Sequence, residues 1–388
     1  MVRKICAITA NRADFSRIET ILEAVKKHPD LDLQLVVLGS HLLEKTGHTV
    51  QEIIKRGFIP DQTIQMELEG SNPVSMTKSV GLAMIELATA LDRLKPDVVV
   101  APVDRFESLA MGIAPALMNI HVAHVQGGEV TGTIDESIRH ALTKMSHLHF
   151  VATEKSRERV IKMGELEETV FNVGCPGTDL LLKIPPLSRE KTIWRLNDEI
   201  VRGDKKFDPS KPYFLLIQHP VTTEFGSSGD QIKETMEALK NIGQQAIVLW
   251  PNIDAGSDDI SKILRRYTDK EIDHFTALAL KHIPHDLFTN TLRNASCLVG
   301  NSSTGMREAC YFGTPVVNIG TRQSGRERGR NVVDAPNDRK QIEDAIRFQL
   351  GHGAYPVEHI YGDGTAGEKT AEILATIKLP NIQKKITY

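Results

Sequence analysis

The apolar residues of this chain follow two alternating patterns. Short continuous runs at 5–9, 33–38, 97–101, 120–125 and 148–152 read as strands buried on both faces. Between them, apolar positions recur at spacings of three and four, which predicts helices over 18–27, 46–58 and 76–94, the last stopped by Pro96. Residues 61–69 read as a short extended segment. Gly174-Cys175-Pro176-Gly177 closes this first block, and 183–186 and 204–212, rich in charge and proline, read as a linker zone. A second series then begins, with strands at 213–217, 246–250, 274–280 and 297–299, helical sequence after Asp334 and a closing helix over 368–377. Alternation with short loops predicts α/β architecture with mostly parallel sheets, in two Rossmann-like halves.

The polar residues gather where the predicted strands end, which is where open α/β sheets bind ligands. The first strand leads into NRADFSR, in which Arg12 and Ser16 can meet an anion at a helix start; capping of the helix by Asp14 and Ser16 explains the same residues equally well. His41 follows the strand at 33–38, and Asp104-Arg105 follow that at 97–101. The strand at 120–125 runs into HVQGGEVTGTIDESIRHALTK, a turn on paired glycines that carries Glu129 and Asp135. Thr133 and Glu136 have capping-box spacing, which starts a helix near Ile134, with Ile138, Leu142 and Met145 as its apolar face and Arg139 four residues beyond Asp135. Carboxylates on such a turn suit chemistry on an anionic substrate, although a solvated surface turn has the same composition.

Composition narrows the class. Hydrophobic content of 40% and charged content of 25% describe an ordinary globular chain, and a net charge of −3 argues against nucleic acid or an anionic membrane as partner. Cys6, Cys175, Cys297 and Cys310 form no C-x-x-C pair, so they read as reduced cytoplasmic thiols, and no apolar run reads as a signal peptide or a membrane span. No G-x-G-x-x-G follows the first strand and no Walker lysine loop is present, which weakens dinucleotide and ATP-hydrolysis readings. The sharpest motif is Gly300-Asn301-Ser302-Ser303-Thr304-Gly305, between a strand and a helix. Hydroxyls and free N–H groups there can grip a diphosphate without lysine or metal; Glu308 can accept both hydroxyls of a ribose, and Arg322, Arg326, Arg328 and Arg330 add positive charge.

With these strings in view, the chain resembles the hydrolysing UDP-N-acetylglucosamine 2-epimerases. NRADFS, GSHLL, DRFESLA, GGEVTGTIDESIRHALTK, QHPVTT, PNIDAGS, GNSSTGMRE, FGTPVVN, GTRQSGRE and YGDG occur in order from residue 11 to about 364. The resemblance implies a GT-B fold: two Rossmann-like domains facing a cleft, here 1–180 and a UDP-binding 181–365, with 366–388 crossing back as a helix to the first. It implies UDP-GlcNAc plus water giving ManNAc plus UDP, by anti elimination to a 2-acetamidoglucal and hydration, with no cofactor and no metal. By motif position, catalytic roles fall on Asp104, Gln126 and Asp135, supported by His124 and His41. Substrate contacts fall on Arg12, Ser16, Arg105, Glu129, Arg139, His219, Asn252, Asp254, Ile283 (through its backbone), Ser302, Ser303, Glu308 and Arg322. Partners implied are the UDP-sugar, UDP and further copies of the chain, as a homodimer or homotetramer.

Two departures stand out. The family usually has a glutamate where this chain has Gln126, and an amide cannot move a proton at neutral pH. Pro102 and Val103 replace a histidine and a glycine before Asp104. Natural divergence, a substitution that traps a complex, and a silent nucleotide-sugar binder all remain open, and two altered sites together favour divergence. The sugar is UDP-GlcNAc on this reading. Alternatives are a UDP- or GDP-linked 2,4-diacetamido-trideoxy sugar, as in legionaminic-acid synthesis, and a GT-B glycosyltransferase.

Overall fold

A computed structural model of the chain describes residues 2–44, 47–68, 73–102, 105–131, 134–251, 256–268 and 275–387. The chain divides into two compact units, one of Met1–Val130, Ile134–Leu182 and Tyr361–Tyr388, the other containing Lys183–Ile360.

In the first unit the strands are β1 (Arg3–Thr9), β2 (Leu31–Leu38), β3 (Gln62–Ile64), β4 (Val98–Pro102), β5 (His121–Val125), β6 (Leu148–Val151) and β7 (Val170–Asn172). They form one sheet in the order β3-β2-β1-β4-β5-β6-β7, and every neighbouring pair is parallel. Period-two alternation explains why these runs are apolar throughout. Ile5, Ala7, Val98, Val100, Ala123 and Val125 enter the core on one face. Cys6, Ile8, Val99, Ala101 and Val122 enter the core on the other.

The second unit repeats the pattern with β8 (Tyr213–Ile217), β9 (Gln245–Leu249), β10 (Ala277–Leu280), β11 (Cys297–Gly300), β12 (Val316–Ile319) and β13 (Val332–Ala335). Their order is β10-β9-β8-β11-β12-β13, again all parallel. In both sheets the strand order reverses beside the unit's first strand, at β1/β4 and at β8/β11. Those are the points at which doubly wound sheets open a crevice.

Several elements differ from the sequence reading. The first helix begins at Arg12, because the Asn11 side chain caps it by accepting the Asp14 N–H at 3.0 Å. NRADFSR is therefore mostly helix, with Ser16 one turn in and its hydroxyl donating to Ala13 O. Of the segment read as helical over 46–58, the described residues are helical only at Val50–Lys55. The 204–212 stretch is no free linker: Phe207 is buried, and Lys205 donates to the carbonyls of Thr268 and Ala277 at 3.2 and 3.0 Å. Helix Pro73–Leu94 is, by length and composition over Val74–Leu94, apolar enough to cross a membrane, against the expectation of no such stretch. Its Ala83, Leu87, Ala90 and Leu91 are buried in the first unit's core, which accounts for that apolar character.

The C-terminal segment belongs to the first unit. Asp179 caps helix Ala366–Thr376 by accepting the N–H groups of Ala366 and Gly367 at 3.1 and 2.8 Å. Further on, His121 and His147 make 2.8 and 3.0 Å hydrogen bonds to the carbonyls of Pro380 and Ile382. His147 Nδ1 accepts the Val122 N–H at 3.1 Å, so its proton sits on Nε2 and that nitrogen donates to Ile382.

Candidate active site

In the first unit the candidate residues converge on the C-terminal edge of the sheet. His41 lies in the turn Gly39–Leu42 after β2 and is buried between two hydroxyls, with Nε2 3.0 Å from Thr9 Oγ1 and Nδ1 2.7 Å from Thr49 Oγ1. Burial pushes its pKa down to about 4. Arg12, the first residue of its helix, is exposed beyond β1. Arg105 follows β4 and lies 3.5 Å from the buried Glu107 carboxylate. Asp104, the leading carboxylate candidate, lies outside the described residues.

The turn after β5 is built around two fully buried groups. His124, on the strand, meets Thr143 Oγ1 at 3.2 Å through Nδ1. That hydroxyl gives its own hydrogen to Arg139 O, so Nδ1 carries a proton. Gln126 has a left-handed backbone at φ 67° and no exposed surface. Such a conformation costs a bulky residue on the order of 1 kcal/mol and persists only where its surroundings impose it. Here its N–H continues the ladder to Phe150 O at 2.8 Å, and its Nε2 donates to Cys175 Sγ at 2.9 Å. Gly128 follows at φ +75°, and a Cβ there would sit 2.3 Å from Ser156 O, so no other residue fits.

Helix Asp135–Met145 begins one residue later than the spacing predicted. Thr133, half of the expected capping box, lies outside the described residues. The Glu136 carboxylate pairs along the helix instead, at 2.9 Å to Arg139 Nη1 and 2.9 Å to His140 Nε2. Arg139 is fully buried and also donates to Glu129 O at 2.9 Å, so the guanidinium ties the turn to the helix. Asp135, at the helix start, is half-buried, and the Glu129 side chain is buried.

Cys175 is the residue that sequence reasoning missed. Its Sγ accepts from Arg17 Nη1 at 3.3 Å as well as from Gln126, and its N–H donates to Tyr361 O at 2.7 Å. Cys175 thus joins the first helix and the β5 turn through its sulfur and the C-terminal segment through its backbone N–H. Its one sequence signal was the Gly-Cys-Pro-Gly string directly after β7.

The second unit places the Gly300-Asn301-Ser302-Ser303 turn at its own switch point. Gly300 closes β11 at φ +126°, where a Cβ would lie 2.2 Å from Ile217 O. Ser302 caps helix Ser303–Arg307 by accepting the Thr304 N–H at 3.3 Å. That helix has five residues, with Glu308 at its end, so its macrodipole is small and any anion binding rests on individual N–H and O–H groups. His219 follows β8, and burial beside Arg322 pushes its pKa down to about 3. Ile283, after β10, has its side chain in the core with Leu280 and Leu287. Asn252 and Asp254 lie outside the described residues. The arginine cluster contributes less charge than its sequence implied: Arg328 pairs with Asp334, Arg330 lies 3.7 Å from Glu358, and Arg326 donates to Gln323 Oε1. Arg322 donates to Asn301 O at 3.2 Å. Among the described residues no three His, Cys, Asp or Glu side chains gather as a metal-ligating group.

The buried histidines predict an acid-sensitive fold. An unfolded histidine takes up its proton near pH 6.5, whereas native His41, His147 and His219 do so only near 4, 4 and 3. The unfolded state therefore binds more protons below 6.5, and stability falls as pH drops from 6.5 towards 4. Glu165 adds a second loss between 4.5 and about 2, because hydrogen bonds from His149, Lys144 and Lys384 outweigh the upward push of burial. By pH 5 each histidine costs at most roughly 2 kcal/mol. Urea unfolding at pH 7.5, 6 and 5 checks this: a falling midpoint is expected, and a flat one would show that these histidines titrate normally.

Two doubly wound parallel sheets with polar turns at their switch points form a GT-B-like fold, and comparison with solved structures agrees. UDP-GlcNAc 2-epimerase from Neisseria meningitidis bound to UDP-GlcNAc superposes with a TM-score of 0.79 at 15% identity, covering 96% of this chain and 99% of that one. The Methanocaldococcus jannaschii enzyme in complex with UDP-GlcNAc and UDP gives 0.76 at 18%, covering 96% and 99%. The sequence profile of the UDP-N-acetylglucosamine 2-epimerase family matches residues 23–375, and the chain belongs to that family. Similar relatives include the UDP-N,N'-diacetylbacillosamine 2-epimerase (hydrolyzing) of Legionella pneumophila, 38% identical over 98% of this chain and 97% of the relative. The UDP-N-acetylglucosamine 2-epimerase of Neisseria meningitidis serogroup B is 32% identical over 96% and 95%.

Proposed function

We propose that this chain is a hydrolysing 2-epimerase that converts UDP-GlcNAc and water to ManNAc and UDP. The observation that carries the reading is the match to the UDP-N-acetylglucosamine 2-epimerase family over residues 23–375, with a relative of that name 32% identical over 96% of the chain. On this reading Ser302, Ser303, His219 and Arg322 hold the diphosphate and Glu308 the ribose. The family resemblance also assigns substrate contacts to Arg12, Ser16, Arg105, Asn252 and Asp254. On this reading Asp104 and Asp135 exchange the C2 proton of the sugar, with His41, His124 and Glu129 as supporting groups. Elimination breaks the C2–H and anomeric C–O bonds; the base takes the proton and UDP leaves with the electron pair. Water then adds at the anomeric carbon, and C2 is reprotonated with inverted configuration. Gln126 moves no proton here. It keeps the turn's shape, and Arg139 holds the turn from beneath.

A second reading keeps the chemistry and changes the sugar to UDP-N,N'-diacetylbacillosamine. It is favoured by the 38% relative and by a Campylobacter jejuni GDP/UDP-N,N'-diacetylbacillosamine 2-epimerase, 33% identical over 89% of this chain and 87% of the relative. Proton NMR in deuterated water with each sugar decides. Free 2-epimerised sugar carrying deuterium at C2 is the expected product, from UDP-GlcNAc first. Release of UDP with no deuterium at C2 would remove the elimination route, and an intact UDP-sugar after long incubation would leave a binding protein.

The same reading includes a cytoplasmic homo-oligomer. Val74, Leu82 and Ile85 stand exposed on helix Pro73–Leu94, and a second copy of the chain would cover them. Light scattering should report a dimer or tetramer that Leu82→Glu dissociates; a monomeric wild type would remove the assembly.

A further inference from the structure

Strands β8 and β11 pair in register up to Ile217 and Gly300. Beyond that point the ladder continues through a side chain. Asn301 donates its own N–H to Ile217 O at 3.1 Å. Its Oδ1 accepts the His219 N–H at 2.7 Å, and its Nδ2 donates to the His219 carbonyl at 2.8 Å. The carboxamide stands in for a peptide group and extends the pairing by one residue. Its orientation is fixed, because the oxygen faces an N–H and the nitrogen faces a C=O. The backbone carbonyl of Asn301 is a second anchor, accepting from Arg322 Nη1 at 3.2 Å and from Gln323 Nε2 at 2.9 Å. Asn301 and Gln323 are both nearly inaccessible, at 3% and 2% exposure. One residue thus clamps the loop after β8, the start of helix Ser303–Arg307 and the loop after β12.

We propose that Asn301 is the positioning residue of the nucleotide site, setting His219 and Arg322 on either side of Ser302 so that a nucleoside diphosphate meets all three at once. The inference rests on the reading of this cradle as the UDP site. Asn301 acts through the groups it holds. Binding is tightest when those groups are already placed, because ordering them on arrival of the ligand would cost affinity. A third tether acts in the same direction: Glu224, after β8, accepts from Thr321, beside Arg322, and from Gln231 Nε2 at 2.6 Å.

The substitution Asn301→Asp makes the clamp titratable. A carboxylate still accepts the His219 N–H, but its second oxygen opposes the His219 carbonyl, and two acceptors repel. Only the protonated acid restores a donor, so lowering the pH rebuilds the clamp. The charged and titratable groups around it are His219, neutral across this range, Arg322 on the Asn301 carbonyl, Arg326 on Gln323, and Glu224 on Thr321. The ratio of UDP dissociation constants, variant over wild type, removes the ligand's own titration. By calorimetry we expect Asn301→Asp to bind UDP at least tenfold more weakly than wild type at pH 8, with the ratio shrinking towards pH 5.5. Asn301→Ala should be weak by a similar factor at every pH. A ratio near one at pH 8, or one that stays flat with pH, overturns the clamp. If Asn301→Asp fails to fold, Gln323→Met removes one donor from the Asn301 carbonyl and leaves the carboxamide in place. At least a threefold loss is expected, and unchanged affinity overturns the inference. A wild-type chain that does not bind UDP would instead overturn the reading of the site itself, and the clamp with it.

Discussion

Arg139→Met is expected to lower turnover about 100-fold while leaving UDP binding within about threefold of wild type. The guanidinium is fully buried and bonds both Glu129 O and the Glu136 carboxylate at 2.9 Å. Methionine fills much of the same space and donates nothing. The Glu129 carbonyl then loses this donor, and the Glu136 carboxylate keeps His140. Removing one member of a buried pair costs about 3–5 kcal/mol. Glu136 is 29% exposed and recovers some hydration, so the loss should be roughly 2–3 kcal/mol. The larger effect is on chemistry. The turn from Gln126 to Asp135 would no longer be tied to its helix, and a displacement of about 1 Å at reacting groups costs on the order of 100-fold. The proposed diphosphate site lies on the other sheet and keeps its own contacts. Turnover and UDP titration on the same sample check this: parallel loss of both would mean the whole unit had collapsed, and retention of turnover would remove Arg139 from the turn's support.

Gly300→Ala is expected to do the opposite, removing nucleotide binding at its source. The added methyl would lie 2.2 Å from Ile217 O and 2.6 Å from Ile217 C, both backbone atoms of the neighbouring strand, with φ at +126°. No rotamer relieves a clash of Cβ with backbone, so β8 and β11 must separate where Asn301 bridges them. Effects of this kind exceed about 4 kcal/mol, and UDP affinity should fall more than about 100-fold. Gly351→Ala is the matched control. It lies in helix Arg339–His352 with no atom within 4 Å of its new Cβ, and it should stabilise by roughly 0.5–1 kcal/mol. Thermal unfolding with and without UDP separates the two variants. Equal behaviour would show that the strand contact at Gly300 is soft.

Much of the fold was legible because parallel strands buried on both faces must be continuously apolar. Residues 213–217 were read to the residue, and β2, β5, β6, β9 and β11 to within two residues at either end. Helix ends were less legible. Asn11 starts its helix by capping with its side chain, a local geometry that NRADFSR shares with an ordinary loop. Helix Pro73–Leu94 shows the limit of composition, since the same apolar content serves a core or a membrane and only its packing against the sheet distinguishes them.

The chemistry divides in the same way. By itself the sequence determined that two parallel α/β sheets form, that polar turns follow their strands, and which residue types stand in those turns. Periodicity and strand-end position are local properties, and a string carries them. Only the tertiary structure decided which of those side chains serve structure. Arg139 was read as a substrate contact, Gln126 as a catalytic position and Asn301 as part of the Gly-Ser motif, yet each is buried and bonded to backbone or sulfur. Cys175, distant in sequence from Gln126, became its partner because β7 brings Gly174-Cys175 to the same sheet edge. Arg328 and Arg330 lost their expected role because Asp334 and Glu358 reach them first. Burial and pairing depend on what the rest of the chain places alongside a residue, and spacing along the sequence does not encode that.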